Sequence, residues 1–185
     1  MNIILASASP RRLELMGLIA DDFEVIPADV KEIVPADISA YNSAEYLAQL
    51  KAQSVAADHH DALVIGCDTV VIIDDEVLGK PQSVEESRQM LHKLSGREHS
   101  VVTGCALCCG GRTASFSEKT SVIFYDLTDK EIEDYILTGE SSDKAGAYGI
   151  QGRGSLLVKS IVGDYLNVVG MPVSRLKREI ENFSL

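Results

Sequence analysis

Short apolar runs alternate along the chain with stretches of helical periodicity, which predicts strands and helices in alternation over the 185 residues. Ile3-Ile4-Leu5-Ala6 reads as a strand, followed by Ser9 as a helix N-cap, Pro10 in the first helical position, and Leu13, Met16 and Gly17 as a short helix and its stop. Phe23 to Ile26 forms a second short strand, and a polar connection from Pro27 to Asn42 leads to a helix running from a Ser43 cap to Asp58. Ala62 to Ile73 is the most apolar run and reads as a central strand, turning at Asp74-Asp75 into a return strand through Val77 and Leu78. A helix over 84–95 stops near Gly96, and His99 to Cys109 and Arg112 to Tyr125 form a hairpin about Gly110-Gly111. Thr128 caps a helix to Thr138. Residues 139–155, with five glycines, form a shaped loop. Leu156 to Val162 is a strand, an ambiguous piece follows to Gly170, and Pro172 to Phe183 is a closing helix. No linker, repeat or low-complexity tract divides the chain, so the expectation is one α/β domain over 1–185 with a mixed central β-sheet flanked by helices.

Charge narrows the choice of partners. A formal net charge of −11 repels polyanions, which argues against nucleic acid polymers and anionic membranes, and leaves a small anionic ligand only where basic residues converge. No apolar run is long enough to span a bilayer, and Met1-Asn2 leads into the first strand without a basic leader, so a soluble, cytoplasmic protein is expected. Cys105, Cys108 and Cys109 cluster, but a strand sends Cys105 and Cys108 to opposite faces. With no second ligand pair, these and Cys67 read as reduced, apolar residues.

Four features stand out against this background. Asp68 is a lone carboxylate inside LVIGCDTVVII, so it needs a cation, a metal, donors or solvent, or else caps a turn where the strand bulges. Gly66, two residues earlier on the same face, suggests room for a ligand. Counting outward from the Asp74-Asp75 turn brings Lys80 beside Thr69, next to Asp68, although a solvated lysine is the commoner fate. Lys51 falls on the apolar stripe of its helix, four residues after Leu47, and either snorkels to the edge or points into a cleft.

Arg11 and Arg12 occupy a first helical turn, where the dipole favours acids. Arg11 can pair with Glu14; alternatively, with Ser7 and Ser9, both arginines complete an anion site in which their truncation would weaken substrate use and spare the fold. Asp29 and Glu32 form an acidic pair that, with Asp68, could supply oxygens to Mg²⁺, or are simply solvated. Gln151, in a glycine-rich loop, could read a base edge or lie in solvent. The four histidines show no triad or metal spacing, and no serine nucleophile can be argued.

Taken in order, LASASPRRLELM, DVKE, LAQLKA, VIGCDTVVIIDDEVLGKP, LSGREHSVVTG and DKAGAYGIQGRG resemble the Maf family of nucleotide pyrophosphatases. The resemblance implies a fold similar to inosine triphosphate pyrophosphatases, with two lobes around a cleft, and divalent-metal-dependent (Mg²⁺ or Mn²⁺) cleavage of a nucleoside triphosphate to the monophosphate and pyrophosphate. It implies phosphate binding by Ser7, Ser9, Arg11 and Arg12, a general base at Asp68, phosphate-site lysines at Lys51 and Lys80, and a metal contribution from Glu32. Lys31 replaces an acid common in the family, which leaves any metal role in that loop to Asp29 and Glu32. Arg12, Thr69 and Gln151 match the set that marks the dTTP and UTP branch; 7-methyl-GTP hydrolysis and a nucleotide-binding role in cell division are the alternatives. The resemblance, and nothing else in the sequence, suggests a homodimer.

Overall fold

The computed structural model describes residues 2–183. Among these, β1 (Ile3–Leu5), α1 (Pro10–Met16), β2 (Glu24–Val25), α2 (Ala40–Ala56), β3 (Leu63–Ile73), β4 (Glu76–Leu78) and α3 (Val84–Leu94) follow in order. Next come β5 (Glu98–Cys109), β6 (Arg112–Phe124), α4 (Asp129–Ile136), two 3-10 turns (Ala145–Ala147 and Gly152–Leu156), β7 (Val158–Val162), α5 (Tyr165–Val169) and α6 (Val173–Phe183). The seven strands form a mixed sheet of order β2-β1-β3-β5-β6-β7, with β4 also paired to β3. The chain forms two compact units: Met1–Thr69, Thr103–Glu118 and Gly170–Leu185 make the first, and Val70–Val102 with Lys119–Val169 make the second.

In the first unit β1 is parallel to both β2 and β3, in the register Leu5↔Val25 and Leu5↔Ile65. Ile4, Ala6, Val64, Ala106 and Cys108 present one face of this sheet to Ala48, Ala52 and Val55 of α2. The helix sits unusually low because two strand positions lack side chains. A Cβ on Gly66 would lie 2.3 Å from the Ala48 carbonyl oxygen, and one on Gly104 would lie 2.3 Å from the Ala44 carbonyl carbon. Ala44, Ala48 and Ala52, four residues apart, form the matching flat stripe.

The second unit has its own core, with Leu91, Leu94, Val122, Phe124, Ile132 and Tyr148 among its members. Its β3–β4 hairpin has the expected register, Ile73↔Glu76 through Val71↔Leu78, and Asp74 and Asp75 both take positive φ (54° and 59°), as a type I′ turn requires. Ser83 caps α3 by accepting from the Glu86 N–H, and Thr128 and Glu131 close a reciprocal capping box on α4.

Several expectations need correction. Helix α2 begins at Ala40, not after Ser43: Ser43 is buried within the first turn, where its hydroxyl donates to the Ala40 carbonyl, so the residue read as a cap is a satisfied inward-facing one. The loop over 139–155 holds the first 3-10 turn and most of the second, which runs on to Leu156, strand β7 starts at Val158, and the ambiguous piece contains helix α5. Gly66 offers no space to a ligand, because α2 fills it. The cysteines behave as expected: all four are free, Cys108 packs against α2, and Cys105 faces Cys67 with 3.6 Å between sulfurs.

Candidate active site

The site in the first unit begins where β1 stops. The Ala6 N–H still donates to the Ile65 carbonyl at 2.8 Å, but the chain then turns away into Ser7-Ala8-Ser9-Pro10, leaving the rest of that edge of β3 without its parallel neighbour. Strand carbonyls alternate in direction, so the Cys67 oxygen faces the vacated side as Ile65 does. Arg12 fills the gap. Its Nη1 donates to the Cys67 carbonyl (2.8 Å), its Nη2 to Thr69 Oγ1 (2.9 Å) and its Nε to the Gly170 carbonyl (2.9 Å). Three of five guanidinium donors therefore satisfy this chain's own groups, and Arg12 acts first as a brace joining α1, β3 and the entry to α6.

Around this brace the other residues of the loop keep capacity for a ligand. Ser7 is buried, and its Oγ accepts from the Ser9 N–H at 3.2 Å. Ser9 is the N-cap of α1 by backbone angle, yet its side chain makes no cap bond, and no acidic residue occupies the first turn. The first turn of the helix thus supplies no carboxylate of its own to its positive end. Arg11 is half-buried in the same turn.

Asp68 points to the opposite face of β3 from Thr69, as neighbours in a strand do, and so toward α2. Its partner is Lys51: Nζ donates to Asp68 Oδ1 at 2.6 Å and pairs with Glu32 Oε1 at 3.0 Å. The Lys51 and Asp68 side chains are only 13% and 11% exposed, Glu32 53%. Burial pushes the Asp68 carboxyl above the usual carboxylate range, against the pull of Lys51 and Arg12, with Glu32 adding to the rise. Seating α2 on Gly66 is what brings Lys51, between Ala48 and Ala52, onto Asp68.

This geometry can be set beside known proteins. A family model described as "Maf-like protein" matches residues 2–183. The chain belongs to the Maf family. A relative from Geobacillus sp. (strain WCH70) called "dTTP/UTP pyrophosphatase" is 49% identical over 97% of this chain and 96% of its own. Relatives of the same name from Bacillus cereus (strain B4264) and Bacillus cytotoxicus are 45% and 47% identical, covering 99% and 97% of this chain and 96% and 94% of theirs. Among solved structures, a HAM1 protein from Coxiella burnetii superposes with a TM-score of 0.57 at 15% identity over 98% of this chain and 99% of its own. The Staphylococcus aureus Ham1 protein gives 0.52 at 20% over 68% and 73%. These two likenesses concern the fold alone, and they match the expected mixed α/β architecture.

For this Maf protein, the first unit brings together Ser7, Ser9, Arg11, Arg12, Glu32, Lys51, Asp68 and Thr69. Lys80 and Gln151 belong to the second unit. The hairpin ladder ends at Leu78, short of the Thr69–Lys80 pair counted from the turn, and Lys80 is exposed beyond it. The Gly146 N–H donates to the Gly79 carbonyl at 3.0 Å, which ties the Lys80 segment to the glycine-rich loop. At that point Gly146 holds a positive φ of 67° against Val71, a conformation and a space that suit glycine. Gln151 is exposed just ahead of the second 3-10 turn, whose Arg153 and Gly154 N–H groups donate to the Glu140 carboxylate at 3.1 to 3.3 Å.

The sequence reading missed the bracing role of Arg12, the seat at Gly66 and Gly104, the Glu140 cap and Thr103, which is fully buried beside Thr69. A glycine inside each of two apolar strands was the available signal for the seat. The other three depend on pairs distant in sequence. A divalent metal fits the donor chemistry of the first unit in one respect: two carboxylates, Asp68 and Glu32, converge on a single ammonium. No group of three His, Cys, Asp or Glu placed to hold a metal ion exists among the described residues, so any such ion would take its remaining oxygens from substrate and water, as Mg²⁺ does. Asp29 is exposed in the same loop.

Proposed function

We propose that this protein is a cytoplasmic nucleoside triphosphate pyrophosphatase that hydrolyses dTTP and UTP to the monophosphate and pyrophosphate. The observation that carries the reading is the buried Asp68 with its carboxyl raised by burial, poised against Lys51 and Glu32 beside a loop rich in anion-binding groups. The names of the curated relatives supply the substrate class. They favour neither 7-methyl-GTP nor a regulatory role in cell division.

In the proposed reaction Asp68 accepts a proton from water as its oxygen bonds to the α-phosphorus. The bond from that phosphorus to the bridging oxygen breaks, and pyrophosphate leaves. Lys51 holds Asp68 in place and balances its charge before the proton arrives. Ser7 and Ser9 hydroxyls, the amides of the α1 entry and Arg11 stabilise the phosphate oxygens, with Arg12 contributing its two uncommitted donors. A Mg²⁺ or Mn²⁺ ion held by Asp68 and Glu32 would neutralise phosphate charge. Thr69 reads the pyrimidine through a hydrogen bond.

The test is turnover of dTTP, UTP, 7-methyl-GTP and GTP with Mg²⁺ in ¹⁸O-water, with products identified by mass. Label in the monophosphate and a dTTP/UTP preference are expected. Label in pyrophosphate, release of orthophosphate, or tight binding without product would overturn the reading.

A further inference from the structure

Thr103 lies in β5 at 0% exposure, and its Oγ1 is 2.8 Å from Thr69 Oγ1. Thr69 Oγ1 also accepts from Arg12 Nη2 at 2.9 Å. A hydroxyl carries one proton and two lone pairs, and a guanidinium only donates, so Arg12 occupies one lone pair of Thr69. The bond to Thr103 takes either the proton or the second lone pair. One valence is left, of one polarity, and Thr69 is only half-buried, so that valence can face a ligand.

We infer that Thr103 is a positioning residue which, with Arg12, locks the Thr69 hydroxyl in one polarity and thereby separates 2,4-dioxopyrimidine from 4-aminopyrimidine nucleotides. This rests on the reading that Thr69 meets the base. Uracil and thymine present an N3–H donor beside an O4 acceptor; cytosine presents an N3 acceptor beside an N4 donor. A freely turning hydroxyl suits either pattern. A hydroxyl locked as an acceptor opposite N3, or as a donor opposite O4, matches the first pattern and leaves an unpaired polar group against the second, and such mismatches are what give polar sites their discrimination.

The experiment compares kcat/KM for UTP and CTP in the wild type, Thr103→Val, Thr103→Ser and Thr69→Val. Valine keeps the shape of Thr103 and removes its hydroxyl. The UTP-over-CTP ratio is expected to fall about tenfold or more in Thr103→Val, through KM, with kcat for UTP within about twofold, and to return in Thr103→Ser. Thr103→Ala gives the same readout should the valine variant fail to fold. A wild-type ratio in the Thr103 variants with a lowered one in Thr69→Val overturns the lock alone. A wild-type ratio in Thr69→Val as well overturns base reading by Thr69, and the lock with it.

Discussion

Replacing Gly66 with alanine tests how the catalytic pair is built. The new methyl would lie 2.3 Å from the Ala48 carbonyl oxygen, 2.8 Å from the Ala52 nitrogen and 3.0 Å from the Ala52 Cβ. The two closest atoms are helix backbone, which cannot rotate aside, so α2 must retreat by roughly 1 Å to restore ordinary contact. Overpacking of this kind costs about 1–3 kcal/mol, of which removing a strand glycine returns about 0.5–1. The net loss of about 0.5–2 kcal/mol corresponds to a fall in Tm of roughly 1–8 °C for a chain of this size.

Activity should fall further than stability. Lys51 lies between the two displaced residues, and its 2.6 Å bond to Asp68 lengthens with them. A 1 Å misplacement of catalytic groups can cost as much as about 100-fold in turnover. Thermal unfolding followed by circular dichroism and steady-state kcat on dTTP read the two effects. Gly79→Ala, where a Cβ meets nothing within 4 Å, is the stability control. If Gly66→Ala kept its Tm and kcat but raised KM, the glycine would be clearing space for a ligand, and the account of a helix seat would be wrong.

Burial holds the Asp68 carboxyl above the ordinary carboxylate range, so the acid limb of kcat/KM for dTTP should lie above the unperturbed value of about 3.9. A raised folded-state value also means that the folded state holds a proton the unfolded state has lost. Stability from this group therefore declines as pH rises from the unfolded value through the folded one. Asp68→Asn should abolish most turnover while raising Tm at neutral pH; near-normal kcat would refute the assignment. Arg12→Lys cannot serve the Gly170 and Cys67 carbonyls and Thr69 together, so a loss of about 2–4 kcal/mol is expected in denaturant unfolding. An unchanged midpoint with only KM raised would restore Arg12 to a purely substrate-facing role. Glu140→Ala frees the amides of Arg153 and Gly154, so their hydrogen exchange should accelerate. Unaltered exchange would show that the loop holds its shape without the carboxylate.

Much of this organisation was legible in the amino-acid order. Strand period, turn residues and caps located most elements to within a few residues, because those signals act between near neighbours. The β3–β4 register follows from Asp74-Asp75 alone, since a two-residue turn leaves one way to pair the flanks. Asp68 was conspicuous as a charge in an apolar strand, and Lys51 as a cation on an apolar stripe. Ser43, by contrast, looked like a cap because a serine near a helix start has the same appearance whether it faces the amides or the core.

The sequence by itself determined the element order, the family and the set of polar groups out of place in an apolar setting. Periodicity states which face a residue occupies, not which residue it meets there, so it could not choose between Lys51 and Lys80 as the partner of Asp68. That choice was made by the height at which α2 rests on Gly66 and Gly104. The task of Arg12 was likewise decided only when β1 turned away and left the Cys67 carbonyl to be satisfied by a side chain 55 residues distant. Contacts of that span depend on sheet order and helix seating together, and no local pattern encodes either.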